Sequence, residues 1–149
     1  MVPQRGAGPR HGHLQRRHEH RRDPYAAHRS VDRAELGLAL LEAPGNDGVS
    51  STALVASGAT LLLFTTGRGT PLGFPVPTLK VSSNTAIAAK KPHWIDFDAG
   101  ALLGGAATMD QLADDLFTLI LDVASGRALA NNEKHGYREI AIWKEGVTL

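Results

Sequence analysis

The feature that most constrains the fold is an apolar run that ends in a glycine-rich polar loop. Residues 60–66 read Thr-Leu-Leu-Leu-Phe-Thr-Thr, and residues 67–73 continue with Gly-Arg-Gly-Thr-Pro-Leu-Gly. Because Leu61 to Phe64 can be buried on both faces, this run is typical of a central parallel strand. Open α/β sheets bind ligands at the carboxyl ends of their strands. The sequence therefore predicts an α/β fold with a ligand site in the loop after this strand.

Length and composition narrow the class of protein. A chain of 149 residues is long enough for one domain with a hydrophobic core. It has no cysteine, which excludes disulfides, thiolate ligands and thiol nucleophiles. No apolar run reaches the ~18 residues of a membrane helix, and the amino terminus lacks the apolar region of a secretory signal. We therefore expect a cytoplasmic protein without a membrane partner.

Charge divides the chain near residue 33. Residues 1–33 hold eight Arg, five His and three acidic residues, a composition that predicts a disordered basic head. Residues 34–149, the predicted folded domain, hold eight Lys and Arg against twelve acids, a net charge of −4. An acidic body argues against nucleic-acid binding as the main role. The favoured interpretation of the head is a tail without function, or in a sharper form a misassigned start or a frameshift before residue ~34. The alternatives are a basic binding arm and an adventitious metal-binding histidine tract.

The domain alternates strand and helix signals. Strands are predicted at residues 36–43, 60–65, 78–83 and 138–144, and residues 94–98 are predicted to be a strand or an extended segment. Helices are predicted at 49–57, 86–91 and after Thr108. The first two strands and the helix between them form a predicted parallel βαβ unit. Residues 127–136 are predicted to be a polar connection. The expected architecture is a three-layer, Rossmann-like α/β fold, with a mostly parallel sheet and flanking helices.

Predicted helix ends follow from capping residues. Asp47 or Ser50 is the expected N-cap of the first helix, and Gly58 is expected to end it. Asn84 or Thr85 is the expected N-cap of the second helix. Thr108 and Gln111 have the spacing of a capping box for the third.

The loop after residue 64 has the residue types of an anion or polyol site. Arg68 offers a planar fork that fits a carboxylate or phosphate. Gly67 and Gly69 allow the backbone to approach a ligand closely. Thr65, Thr66 and Thr70 are candidates for binding substrate hydroxyls, with capping of the turn as the equal alternative.

Two carboxylates and two histidines are further candidates. Asp96 and Asp98 alternate with apolar residues on one predicted strand face, which allows acid–base chemistry or metal binding. The favoured alternative is that they face solvent or cap neighbouring helices. His93 and His135 lack the spacing of a ligand pair and are expected on the surface.

Four separated stretches carry a resemblance to a known family. Residues 64–71, 94–100, 121–126 and 137–144 are similar, in this order and spacing, to the C-terminal domain of altronate and galactarate dehydratases. Residues 43–47 also resemble that domain. The ending resembles altronate dehydratases more than galactarate enzymes. A sulfolactate lyase-like subunit shares the same superfamily domain and is an alternative.

The resemblance implies a hydro-lyase reaction on a sugar acid, altronate to 2-keto-3-deoxygluconate. A proton leaves C2, hydroxide leaves C3, and the enol becomes a 2-keto-3-deoxy acid. On this basis Arg68 is the expected carboxylate-binding or enolate-stabilising residue, with a loop arginine that bridges to another domain as the alternative. Lys80 is a candidate base or charge in the same crevice, with an ordinary edge or surface lysine as the favoured alternative. Asn84 is a candidate substrate ligand, with helix capping favoured.

The resemblance also implies partners. Family enzymes depend on iron(II) or a similar divalent metal, whose ligands we expect outside this chain. They have upstream domains, in some members a separate subunit. We therefore expect a truncated form that needs these domains and is inactive alone. A homodimer is a further candidate for its assembly. The other interpretation is a non-catalytic remnant or carboxylate-binding domain.

Overall fold

The sheet is parallel and three-stranded. The computed structural model describes residues 37–142. In that part of the chain the strands are Leu62–Thr66 (β1), Thr78–Ser82 (β2) and Phe97–Asp98 (β3), in the order β1-β2-β3. The helices are Asp47–Ala56 (α1), Thr85–Lys90 (α2), Met109–Ala124 (α3) and Asn131–His135 (α4), with a 3-10 helix at Ala99–Leu102. A parallel sheet flanked by helices confirms the predicted α/β fold.

The central strand β2 is buried along its whole length. Successive side chains alternate between the two faces of a strand. Leu79 on one face packs against Val123 of α3 and against Ala130. Thr78, Lys80 and Ser82 therefore occupy the opposite face. The core is small, and its central strand contributes polar side chains to one side.

Local capping explains the helix boundaries. The side chain of Asn46, rather than Asp47 or Ser50, accepts a hydrogen bond from the Val49 N–H and caps α1. Asn84 caps α2, and the predicted capping box of Thr108 and Gln111 caps α3. These bonds satisfy N–H groups that have no partner inside the helix.

The predicted strand at 36–43 is wrong for the residues that the structure describes. Residues 38–44 form no strand, and Leu38 and Leu40 are 93% and 90% exposed. An apolar run forms a strand only where a neighbouring strand accepts its hydrogen bonds, and no described strand does so here. The predicted βαβ unit is therefore also wrong. Instead, β1 pairs directly with β2 in parallel, from Leu62 opposite Thr78 to Thr66 opposite Ser82.

Three other boundaries differ from the predictions. The strand predicted at 94–98 is reduced to Phe97–Asp98. Residues 138–142 form no strand, because their backbone makes isolated bonds: Glu139 N–H to Gly73 O at 2.8 Å, and Ala141 N–H to the Thr52 hydroxyl at 3.0 Å. Residues 143 and 144 lie outside the described residues, as does the predicted head at 1–33. The polar connection at 127–136 contains α4, which the sequence reading missed.

Helix α4 positions a buried amide at the start of β2. Asn132 is 1% exposed, and its carbonyl oxygen accepts the Thr78 N–H at 2.8 Å. Its NH2 group donates to the carbonyls of Phe74 and Val76, both at 3.1 Å, and of Tyr137 at 3.4 Å. One side chain thus joins the segment before β2, the first residue of β2 and the segment after α4.

None of the helices within residues 37–142 is long and apolar enough to cross a membrane.

We predict that Asn132→Ala lowers the free energy of unfolding by about 2–4 kcal/mol, because it leaves the buried Thr78 N–H and the carbonyl of the buried Phe74 without their side-chain partner. Urea denaturation followed by circular dichroism measures this. The control is Asn46→Ala, which removes an exposed helix cap and should cost about 1 kcal/mol. Equal losses in the two variants would contradict the central role of Asn132.

Candidate functional site

The carboxyl ends of β1 and β2 bring two loops to one edge of the sheet. The two strands are parallel, and the Ser83 N–H donates to Thr66 O at 3.0 Å. The loop at 67–73 therefore starts beside Ser83 and Asn84. Gly69 has φ +71°, a backbone conformation that favours glycine. Open α/β sheets bind ligands at this edge, so the loop is in the position that the predicted ligand site requires, and binding there stays a prediction.

Two threonine hydroxyls of the loop, those of Thr66 and Thr70, accept hydrogen bonds from the loop backbone. Thr66 Oγ1 accepts the Gly69 N–H at 2.9 Å, and Thr70 Oγ1 accepts the Leu72 N–H at 3.2 Å. The turn-capping alternative therefore holds for both. Neither hydroxyl donates its hydrogen to another described residue. The exposed Thr65 side chain makes no hydrogen bond in this part of the chain. Binding of substrate hydroxyls by the three threonines stays a prediction.

Arg68 presents an unpaired guanidinium. Its side chain is exposed, and within residues 37–142 it makes no hydrogen bond or ion pair. Its own carbonyl is fixed by a hydrogen bond from Lys91 Nζ at 2.7 Å. The backbone at Arg68 is therefore held while the charged group stays available to an anion.

Lys80 is buried rather than on the surface. It is 0% exposed, and its Nζ has no hydrogen-bond partner among the described residues. The amine lies 5.7 Å from the centroid of the Tyr137 ring. The favoured alternative, an edge or surface lysine, is therefore wrong. Lys80 shares its sheet face with Ser82, and two residues of strand place it about 7 Å from the ligand-binding edge.

Burial lowers the pKa of the Lys80 amine, against the carboxylates of Asp96 and Glu139, which raise it. A buried ammonium without a hydrogen bond is costly, and a lysine in such a place readily gives up its proton. The site thus contains an amine with an enhanced tendency to be neutral, as a base requires.

The carboxylates of Asp96 and Asp98 accept hydrogen bonds from backbone N–H groups. The carboxylate of Asp96 accepts the Lys80 N–H at 2.8 Å and the Asn131 N–H at 2.7 Å. Asp98 caps the 3-10 helix by accepting the Gly100 N–H at 2.9 Å. The capping alternative therefore describes both residues better than a paired-carboxylate site. Asn84 is similarly occupied, since its amide caps α2 and donates to Gly67 O at 2.9 Å.

The two histidines are exposed, as expected, and the fold brings them together. The rings of His93 and His135 are 5.5 Å apart between centroids and nearly perpendicular. His135 also lies 5.8 Å from the Tyr137 ring. Within residues 37–142 no group of three or more His, Cys, Asp or Glu is placed to hold a metal ion.

Sequence reading missed the residues that cover the site. Tyr137 lies over Lys80, and the Glu139 carboxylate accepts the Gly73 N–H at 2.8 Å. A Cβ on Gly73 would lie 2.6 Å from the Asn132 Cβ, so the loop end packs closely against α4. The available signal was that Tyr137 and Glu139 lie in one of the family-like stretches.

The sequence of this chain is similar to that of known proteins over most of its length. Residues 24–148 match the family model described as D-galactarate/altronate dehydratase, C-terminal. The chain belongs to this family. It is 52% identical over 113 residues to the altronate dehydratase of Escherichia coli K12, and 50% identical over 113 residues to that of Bacillus subtilis 168. It is 38% identical over 109 residues to the E. coli galactarate dehydratase (L-threo-forming).

The family match covers a small part of the relatives. The two altronate dehydratase alignments take in 76% of this chain but 22% of each relative, and the galactarate dehydratase alignment takes in 72% and 21%. The chain thus spans about a fifth of the length of these curated relatives. Family membership confirms the predicted resemblance.

We predict that the stability of the wild-type chain rises with pH through the window between the lowered pKa of folded Lys80 and the 10.5 of a solvated lysine. In that window the unfolded chain binds more protons than the folded one. Lys80→Met should remove this rise, because methionine has no proton to lose. Urea denaturation between neutral pH and about pH 10 measures the difference.

The control for this measurement is Lys90→Met, which removes an exposed lysine of α2. It should keep the wild-type dependence on pH. A Lys80→Met variant with the same dependence as the wild type would show that Lys80 titrates as a solvated lysine.

Proposed function

We propose that this chain forms one wall of the active site of a sugar-acid dehydratase that converts altronate to 2-keto-3-deoxygluconate. Support comes from family membership and from relatives named altronate dehydratase at 52% and 50% identity, against 38% for the galactarate enzyme. The single observation that carries the proposal is the unpaired guanidinium of Arg68, on a glycine loop at the carboxyl edge of a parallel sheet.

Arg68 binds the C1 carboxylate of the substrate. A guanidinium can donate two parallel hydrogen bonds to a carboxylate, which fixes the orientation of the sugar acid as well as its position. As the C2 proton leaves, negative charge spreads onto the carboxylate as an enediolate. Arg68 would then stabilise the transition state more than the ground state, which lowers the barrier.

Lys80 is the proposed base for the C2 proton. Its burial lowers the pKa of the amine and so favours the neutral form, which is the form that can accept a proton. In the described structure Tyr137 covers this amine, so substrate access requires the partly buried Tyr137 side chain to move. Thr65, Thr66 and Thr70 can donate their hydroxyl hydrogens to substrate oxygens along the edge.

The rest of the site would come from outside the described residues. The family resemblance suggests iron(II) or another divalent ion, but residues 37–142 offer no cluster that fits such an ion. We therefore assign no step to a metal. The partners proposed are the domains that make up the other four-fifths of the relatives, in the same chain or as a separate subunit.

A chimera tests the proposal. Residues 34–149 replace the matching segment of the E. coli altronate dehydratase, and dehydration of altronate is followed by formation of the 2-oxo product. The chimera should be active, and Arg68→Ala should lower kcat/KM by about 100-fold through loss of a charged hydrogen-bond donor. Lys80→Met should lower kcat by at least about 100-fold.

The matched control in the chimera is Arg127→Ala, which removes an arginine that is paired with Asp122 away from the loop. It should leave kcat/KM within about twofold of the unsubstituted chimera, since exposed ion pairs contribute little. An active chimera that is insensitive to Arg68→Ala would contradict the assignment of Arg68. An inactive, well-folded chimera would favour the non-catalytic interpretation.

A further inference from the structure

Helix α2 fixes three successive carbonyl groups of the loop that carries Arg68. At its N-terminal end the Asn84 amide donates to Gly67 O at 2.9 Å. At its C-terminal end Lys91 Nζ donates to Arg68 O at 2.7 Å and to Gly69 O at 3.4 Å. Hydrogen bonds from an ammonium are stronger than those between neutral groups. The C-terminal contact is therefore the stronger of the two.

Both the backbone and the side-chain ammonium of Lys91 make contacts that fix its position. Its N–H donates to Ile87 O at 2.9 Å, and its carbonyl accepts from Trp94 N–H at 3.0 Å and Ile95 N–H at 3.1 Å. Its ammonium lies 4.6 Å from the centroid of the Trp94 ring, within the range of a cation–π interaction. The Lys91 side chain thus extends to the loop from a hydrogen-bonded backbone, with its ammonium beside the Trp94 ring.

Gly69 leaves the space that Lys91 occupies. A Cβ at this position would lie 2.9 Å from Lys91 Cδ and 3.2 Å from a methyl carbon of Ile87. A side chain at position 69 would therefore displace Lys91 or Ile87 from the observed positions. The positive φ of Gly69 also disfavours any residue other than glycine.

We propose that Lys91 is a positioning residue that sets the conformation of the Arg68 loop for carboxylate binding. The inference rests on the proposed role of Arg68. The ammonium draws the carbonyl oxygens of Arg68 and Gly69 toward α2, and so keeps these partial negative charges away from a bound carboxylate. It also adds a positive charge beside the site, which favours an anion over a neutral polyol.

Limited proteolysis of the 149-residue chain tests the positioning role without any assay of activity. Trypsin cuts after arginine, so the bond between Arg68 and Gly69 reports opening of the loop, and mass spectrometry follows that cut. Cleavage of a transiently opened segment tracks the population of the open form. Lys91→Met should raise the rate of this cut by about tenfold, as expected for loss of a charged hydrogen bond.

Two controls separate the loop from the whole domain. Lys90→Met removes the neighbouring exposed lysine, which makes no bond to the loop, and should leave the rate unchanged. The cut after Arg127, which follows the C-terminal end of α3 in the chain, serves as an internal reference. An unchanged rate after Arg68 in Lys91→Met would overturn the proposal. Equal acceleration after Arg68 and Arg127 would also overturn it, since that is general destabilisation.

A double-mutant cycle in the chimera then links Lys91 to substrate binding. If Lys91 acts through Arg68, Lys91→Met should lower kcat/KM by about tenfold in the presence of Arg68 and by less than about twofold in the Arg68→Ala background. Equal losses in both backgrounds would contradict positioning through Arg68. A loop-specific effect on proteolysis together with no effect of Arg68→Ala would instead reject the proposed function and leave the loop contact in place.

Discussion

The hydrogen bonds of the Asn132 side chain are the interaction on which the rest of the site depends. This buried amide joins Thr78 at the start of β2 to the carbonyls of Phe74, Val76 and Tyr137. Loss of this amide would leave the buried Thr78 N–H and the carbonyl of the buried Phe74 without this partner, which is costly in a core this small. Through Tyr137 the same amide fixes the cover over Lys80. Through the segment at 74–76 it fixes the end of the Arg68 loop.

This arrangement places an unfavourable group at the centre of the domain. Lys80 is on the central strand, where its amine has no hydrogen-bond partner among the described residues. Burial of such a group reduces stability, and an apolar side chain would fit the strand at lower cost. Perturbed ionisable groups of this kind cluster at functional sites. The physical cost of Lys80 is thus an argument for a chemical role, independent of the family relationship.

The sequence predicted local features better than long-range ones. Strand β2, helix α3 and the glycine loop were predictable because hydrophobic period, capping box and turn residues are local signals. The strand at 36–43 failed because an apolar run does not show whether a partner strand exists. The role of Asn132 could not be predicted, since its partners Thr78 and Phe74 are more than fifty residues away. Burial of Lys80 likewise depends on Tyr137, which only the fold brings near.

The central claim is that the loop at 67–70 receives the carboxylate of a sugar acid. The most direct measurement is an NMR titration of the isotope-labelled 149-residue chain with altronate, in parallel with the neutral polyol altritol. Altronate should shift the amide signals of Gly67, Arg68 and Gly69, with no shift from altritol at the same concentration and no shift from altronate in Arg68→Ala. Equal responses to both compounds, or altronate shifts elsewhere in the domain that survive Arg68→Ala, would contradict the account.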